Sequence, residues 1–111
     1  MRISDIFDAR YQLLSTPETQ NNLATGIYAG DLLSIVMKSA KPKNLLITVI
    51  ANINTIAVAV LMDFPAVVFC EGNKPTKEML AKADEEKIAL IITDLKTYEV
   101  ILDFYKRGLL S

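Results

Sequence analysis

The chain has 111 residues, with 12 Lys and Arg against 13 Asp and Glu for a net charge of −1, no histidine, and one cysteine, Cys70. This length supports a single domain over 1–111; the lone cysteine excludes an internal disulfide and fits a reducing cytoplasm, and no histidine or thiolate cluster exists to act as general base or metal site. With no basic stripe, no signal-peptide core and no apolar span free of Asn and Thr, neither nucleic acid, nor export, nor a membrane is expected.

Taken in chain order, "ISDIFDARY" (3–11) reads as a short helix with Ile3, Ile6 and Phe7 on its apolar face, and "YQLLST" (11–16) as a strand. Residues 17–22 form a polar turn. "LATGIYAGDLLSIVMKSA" (23–40) begins extended and becomes helical near Asp31, where Leu32, Leu33, Ile35, Val36 and Met37 pack. "NLLITVIA" (44–51), "AVVFCEG" (66–72) and "IALIITD" (88–94) are continuous apolar, β-branched runs. Runs of this kind are strands of a parallel sheet covered on both faces.

Each run leads through a polar turn into a helical pattern. "IAVAVLMD" (56–63) has no polar face, so it is either deeply buried or part of a subunit interface, and the second is favoured. "KEMLAKADEEK" (77–87) carries Met79, Leu80 and Ala83 on one stripe. "YEVILDFYKRG" (98–108) carries Val100, Ile101, Phe104 and Tyr105, with Gly108 as C-cap. The expected fold is α/β, a small mainly parallel sheet with helices on both faces, joined by right-handed crossovers.

Ligands of such sheets settle outside the carboxyl ends of the strands. Asn52, Asn54, Thr55, Glu71, Gly72, Thr93 and Asp94 lie at those ends and are the candidate ligand-binding residues, although each also has an ordinary capping role. The stretch "LATGIYAGDLLS" adds Thr25, Gly26, Tyr28 and Asp31 as a loop before a helix. It is no phosphate loop: Gly26 and Gly30 have three residues between them, and Asp31 stands where a P-loop needs Lys. Locally, Gly26 serves a bend and Asp31 caps the helix. Cys70 reads as buried and inert. No nucleophile–base pair emerges, so no catalytic residue, no metal and no cofactor is expected.

The chain resembles the DRTGG domain, a small α/β module similar to the N-terminal domain of HPr kinase/phosphorylase and to the DRTGG module of CBS-containing family II pyrophosphatases. The resemblance spans nearly the whole chain. It is carried by "TGIYAGDLLSIVM", "LLITVIANINTIAVAVLMD", "AVVFCEGNKPTKEMLAKADEEKIALIITD" and "YEVILDFYKRGLL". Where the family places Asp-Arg and then Thr-Gly-Gly, this chain has Asn21, Asn22, Thr25, Gly26 and Ile27. Thr25, Gly26, Tyr28 and Asp31 carry over; the charged pair and the second glycine do not.

The resemblance implies a regulatory module, not a catalytic centre, contributing to a subunit interface and bordering an adenine-nucleotide site. The expectation is therefore a non-enzymatic cytoplasmic homodimer that senses a ligand, an adenine nucleotide at the carboxyl edge of the sheet. The alternative is an adaptor that docks on a partner enzyme or signalling protein and binds no metabolite.

Overall fold

The computed structural model describes residues 1–109. Five strands among them form one sheet in the order β1-β5-β4-β3-β2: β1 is Tyr11–Leu13, β2 Gly26–Ala29, β3 Asn44–Thr48, β4 Ala66–Phe69 and β5 Ala89–Thr93. Strands β2 to β5 run parallel, and β1 joins β5 antiparallel with Tyr11 opposite Thr93. Four helices complete the fold: α1 (Leu33–Ser39), α2 (Ile53–Leu61), α3 (Lys77–Glu86) and α4 (Thr97–Lys106). The expected α/β class, a mainly parallel sheet between helices, is what the chain adopts.

Side-chain alternation divides the core in two. Leu46, Val67, Phe69 and Leu90 point to the face covered by α1, α2 and α3, where Val36, Ile56, Ala59, Met79 and Ala83 meet them. Leu45, Ile47, Ala66, Val68, Ala89 and Ile91 point to the other face, covered by α4 and the N-terminal segment through Val100, Phe104, Ile3 and Ile6. Every residue of β3 and β4 is buried, which accounts for runs that are apolar on both faces.

Three differences from the sequence expectation have local causes. Residues 3–11 do not form one helix: a 3-10 turn spans Ile3–Ile6, and the chain is already extended at Phe7 to reach β1. The polar turn of 17–22 contains a second 3-10 turn, Pro17–Asn21, with Pro at its start. Helix α2 begins at Ile53 and lies with Ile56, Val58 and Ala59 against this chain's own sheet, so its apolar sequence does not mean burial all round. Its other side, with Leu61 73% exposed, faces outward. No helix among the described residues is long and apolar enough to cross a membrane.

Candidate functional site

At the carboxyl ends of β2 and β3, polar side chains hold the loops in place. The Asp31 carboxylate accepts from Thr48 Oγ1 at 2.8 Å and from the Val49 N–H at 2.9 Å. Asp31 is therefore not the cap of α1. That N-cap position belongs to Leu32, which makes no side-chain cap bond, while Asp31 ties the β2 exit to the β3 exit. Asn52 does cap α2, accepting from the Asn54 N–H at 2.8 Å. Thr55 is buried and donates to the Ile50 carbonyl at 2.7 Å. Asn54 is exposed.

The exits of β4 and β5 diverge. The chain leaves β4 for α3 on one face of the sheet and leaves β5 for α4 on the other. Glu71 and Gly72 adopt left-handed backbone angles, φ +60° and +71°. That bend lets the Glu71 N–H donate to the Leu95 carbonyl at 2.9 Å and the Gly72 N–H to the Thr93 carbonyl at 3.0 Å. A Cβ on Gly72 would lie 3.3 Å from Asp94 Oδ1, so glycine answers both the backbone angle and the close approach. A small crevice of about 140 Å³ lies between this bend, the end of β5 and the start of β1, lined in part by Arg10, Gln12, Gly72, Lys74, Thr93 and Asp94. Thr93 is buried, its Oγ1 accepting from the Leu95 N–H at 3.2 Å, whereas Glu71, Gly72 and Asp94 are exposed.

The structure does not bring all the candidate residues together. Asp31, Asn52, Asn54, Thr55, Glu71, Gly72, Thr93 and Asp94 share the carboxyl edge. Thr25 and Gly26 stand at the opposite end, where the Thr25 N–H donates to the Lys43 carbonyl at 3.0 Å and Gly26 pairs with Asn44. Tyr28 lies between, half-buried in β2. The stretch 25–31 thus contains an edge strand, Gly26–Ala29, with Asp31 just past its end.

A charged cluster beside the crevice escaped the sequence reading. The Tyr11 hydroxyl donates to Asp103 Oδ2 at 2.6 Å, Arg107 Nη2 donates to the same oxygen at 2.8 Å, and Arg10 Nη2 lies 2.8 Å from Asp103 Oδ1. Burial works to raise the Asp103 pKa, but hydrogen bonds from Arg107, Tyr11 and Arg10 outweigh it and hold the carboxyl below its ordinary value. Burial, then the Asp103 carboxylate, pushes the Tyr11 hydroxyl up. Arg10 also grips Asp8, lowering it to about 2 through side-chain and backbone hydrogen bonds. The available signal was Asp103 itself, an acid in register with Val100 and Arg107 on the inner side of α4.

Burial also pushes the Cys70 thiol up to about 11, with Asp31 and Glu71 adding to the rise. It is fully buried and stays protonated near neutral pH. Among the described residues no group of three or more carboxylates and thiols is placed to hold a metal ion. The edge offers exposed carboxylates, amides and buried threonine hydroxyls, with two cations beside a small crevice: groups able to make hydrogen bonds and ion pairs.

Sequence and fold comparisons agree with this architecture. The family described as HPr Serine kinase N terminus matches residues 51–106, the segment from the α2 cap through α4. No curated protein matches the chain. A solved structure of the CBS and DRTGG domains of the regulatory region of Clostridium perfringens pyrophosphatase, complexed with the activator diadenosine tetraphosphate, is similar with a TM-score of 0.66 and 11% identity. The alignment covers 83% of this chain and 40% of that one. At that identity the likeness is one of fold.

Proposed function

Because the chain belongs to the HPr serine kinase N-terminal family, we propose that it is a non-catalytic regulatory module, a single DRTGG-like unit. In this reading it works in the cytoplasm as a homodimer and senses an adenine nucleotide at the carboxyl edge of its sheet. The observation that carries the ligand is the crevice at Gly72, Thr93 and Asp94, between the end of β5 and the start of β1, beside the point where the chain leaves β4 and β5 for opposite faces of the sheet. Lys74 and Arg10 supply positive charge for phosphate oxygens, and Asp94 is an acceptor for a ribose hydroxyl, the role a carboxylate plays at the strand ends of dinucleotide-binding sheets. The pyrophosphatase region of like fold carries diadenosine tetraphosphate as its activator, which makes that class of ligand the first to try.

The test is a calorimetric titration with AMP, ATP and diadenosine polyphosphates. Saturable binding to at least one of them, weakened in Lys74→Ala and Asp94→Asn, is expected; no heat with any of them overturns the nucleotide reading.

The outward side of α2 favours a second reading, an adaptor for a partner enzyme or signalling protein. Ile53, Ala57, Val60 and Leu61 recur at helical spacing on that side, and a groove of about 410 Å³ between α2 and α3 is lined by Ile53, Ala57, Ala81 and Lys82 with Glu78 and Glu85. A partner recovered with the native chain and lost with Leu61→Asp supports it. Recovery of the chain alone counts against it.

A further inference from the structure

The two edges of the sheet are not equally protected. At one edge β1 has only three residues and is guarded by the Arg10–Asp8 and Arg10–Asp103 ion pairs, with Gln12 exposed and Pro17 soon after. Short length, charge and proline are the devices that keep an edge from pairing. At the other edge β2 has β3 as its only neighbour among the described residues and reads Gly-Ile-Tyr-Ala, with no charge and no proline, all four residues half-exposed.

The hydrogen bonds say which backbone groups of β2 are free. The Gly30 N–H donates to the Ile47 carbonyl at 3.1 Å, so by alternation Tyr28 also turns its backbone toward β3, and Ile27 and Ala29 turn theirs outward. Upstream the edge is already occupied: Met1 and Ala24 exchange two backbone hydrogen bonds of 2.8 Å. The open edge therefore runs from Gly26 to Gly30. A partner strand has to be short and has to bend away at both ends, as β2 itself does.

The geometry points to a second copy of this chain as that partner, its β2 pairing antiparallel with this β2 about a two-fold axis through Tyr28, so that the two sheets become one. Centred there, Ile27 faces Ala29 of the second copy and Ala29 faces its Ile27, giving two hydrogen-bonded pairs made wholly of outward-turned groups. Tyr28 meets its own counterpart, and Gly26 stands opposite Gly30, leaving room beside the two rings. That room is needed, because a Cβ on Gly30 would come 3.0 Å from Tyr28 Cε2 within one chain. Thr25 falls opposite Asp31, a hydroxyl facing a carboxylate. Centring on Ile27 instead pairs Ala29 with Thr25, whose N–H is already given to the Lys43 carbonyl.

Helix α1 extends the fit. Its Val36 is buried on the sheet, while Ile35 and Met37, on the two flanks of that line, are 45% and 43% exposed. Helix α2 packs along one flank, so the other lies over the free edge of β2, where the α1 of a second copy would meet it. This contact rests on the homodimer in the proposed function and names its surface. Nucleotide binding is read separately by calorimetry, so failure of the ligand reading leaves the contact untouched.

Sedimentation velocity over a concentration series, far-UV circular dichroism and a cysteine cross-link test the contact. The native chain is expected to dimerise, and Ala29→Pro, which removes an outward N–H without touching the β3 ladder, to be monomeric with an unchanged dichroism spectrum. Should that variant misfold, Tyr28→Cys in a Cys70→Ala background decides. Directly opposed residues of a non-hydrogen-bonded pair have Cα atoms about 4.5 Å apart, within disulfide reach, so it should oxidise to a covalent dimer while Leu61→Cys in the same background does not. Backbone amides of Ile27 and Ala29 should gain exchange protection as concentration rises. A monomer at every concentration overturns the proposal. So does a dimer that survives Ala29→Pro, or one in which Tyr28→Cys stays reduced or the Ile27 and Ala29 amides exchange freely. Protection of those amides only when a different protein is added also overturns it.

Discussion

The Tyr11 hydroxyl donates a 2.6 Å hydrogen bond to the Asp103 carboxylate, joining residues 92 positions apart. It fixes the antiparallel edge strand to α4, the principal helix on its face of the sheet, and it does so under cover: Asp103 is 9% exposed and the Tyr11 ring packs 5.9 Å from that of Phe104. Arg107 closes the arrangement by donating both to Asp103 and to the Ile6 carbonyl at 2.9 Å, so the 3-10 turn, β1 and α4 share one charged junction.

Tyr11→Phe keeps the ring and removes the donor, leaving Asp103 to its two arginines. A loss of about 1–2 kcal/mol in urea unfolding is expected. Asp103→Ala leaves Arg107 and Arg10 facing a pocket without its carboxylate and should cost more, about 3 kcal/mol. Equal effects of the two substitutions would mean that the arginines find other partners and that the carboxylate is not the centre of the junction.

The same junction sets a pH dependence with a definite sign. Asp103 and Asp8 have folded pKa values below their unfolded ones, the first held down by Arg107, Tyr11 and Arg10 against burial, the second brought to about 2 mainly by Arg10. Each contributes stability that is present above the unfolded value near ~4 and is lost as pH falls through the folded one. Tyr11 is shifted the other way by burial and Asp103. Its contribution is present below about pH 10 and is lost as pH rises through the folded value. Unfolding midpoints measured across pH should therefore fall at both ends. Asp103→Asn should flatten the acid limb and Tyr11→Phe the alkaline one.

Strands β3, β4 and β5 and the helices after them were legible because their signals are local: a β-branched run, a polar turn, a 3.6-residue stripe. Strand β2 was legible only as an extended start to 23–40, since Gly26 and Gly30 also read as loop punctuation; its register beside β3, Gly26 to Ala29 against Asn44 to Ile47, makes it a strand. Thr25 and Gly26, grouped with Asp31 in one candidate loop, stand at the amino end of β2, while Asp31 follows its carboxyl end. Asp31 itself follows the local rule for a cap, and the rule loses to Thr48 and Val49, which no spacing in the chain announces. Asp103 sits on a helix whose sequence was read correctly, but two of its three partners, Tyr11 and Arg10, come from the other end of the chain.

Asp31→Ala removes the acceptor of the Thr48 hydroxyl and the Val49 N–H together. The expected cost is about 1–2 kcal/mol, with faster exchange of the Val49 amide and little change in the amides at the start of α1. Asp31→Asn keeps an acceptor and should lose less. Fraying confined to the first turn of α1 would restore the capping role and dismiss the cross-strand tie.

Lys87 is the C-cap of α3 and sits at φ +60°, a left-handed position taken by a residue with a Cβ. Its N–H donates to the Asp84 carbonyl at 3.3 Å, closing the helix just before the chain turns into β5. Lys87→Gly relieves the angle and keeps the backbone bond. A gain of about 0.5–1 kcal/mol is expected, offset in part by the freer unfolded chain. A loss of stability in thermal unfolding would show that the Lys87 side chain does more than tolerate its place.

Gly72→Ala is the opposite case and bears on function. The residue holds φ +71°, and a methyl group there would lie 3.3 Å from Asp94 Oδ1, so the substitution strains the backbone and displaces the carboxylate at once. Left-handed geometry alone costs an L-residue about 1–2 kcal/mol, and stability should fall by at least that much. Because the Gly72 N–H donates to the Thr93 carbonyl, the strain passes directly into the β5 exit. Nucleotide affinity should therefore drop further than stability alone explains, with binding compared at temperatures where both proteins are folded. A variant that loses stability but binds as the native chain does would place the ligand elsewhere on the edge, nearer Asn52 and Asn54.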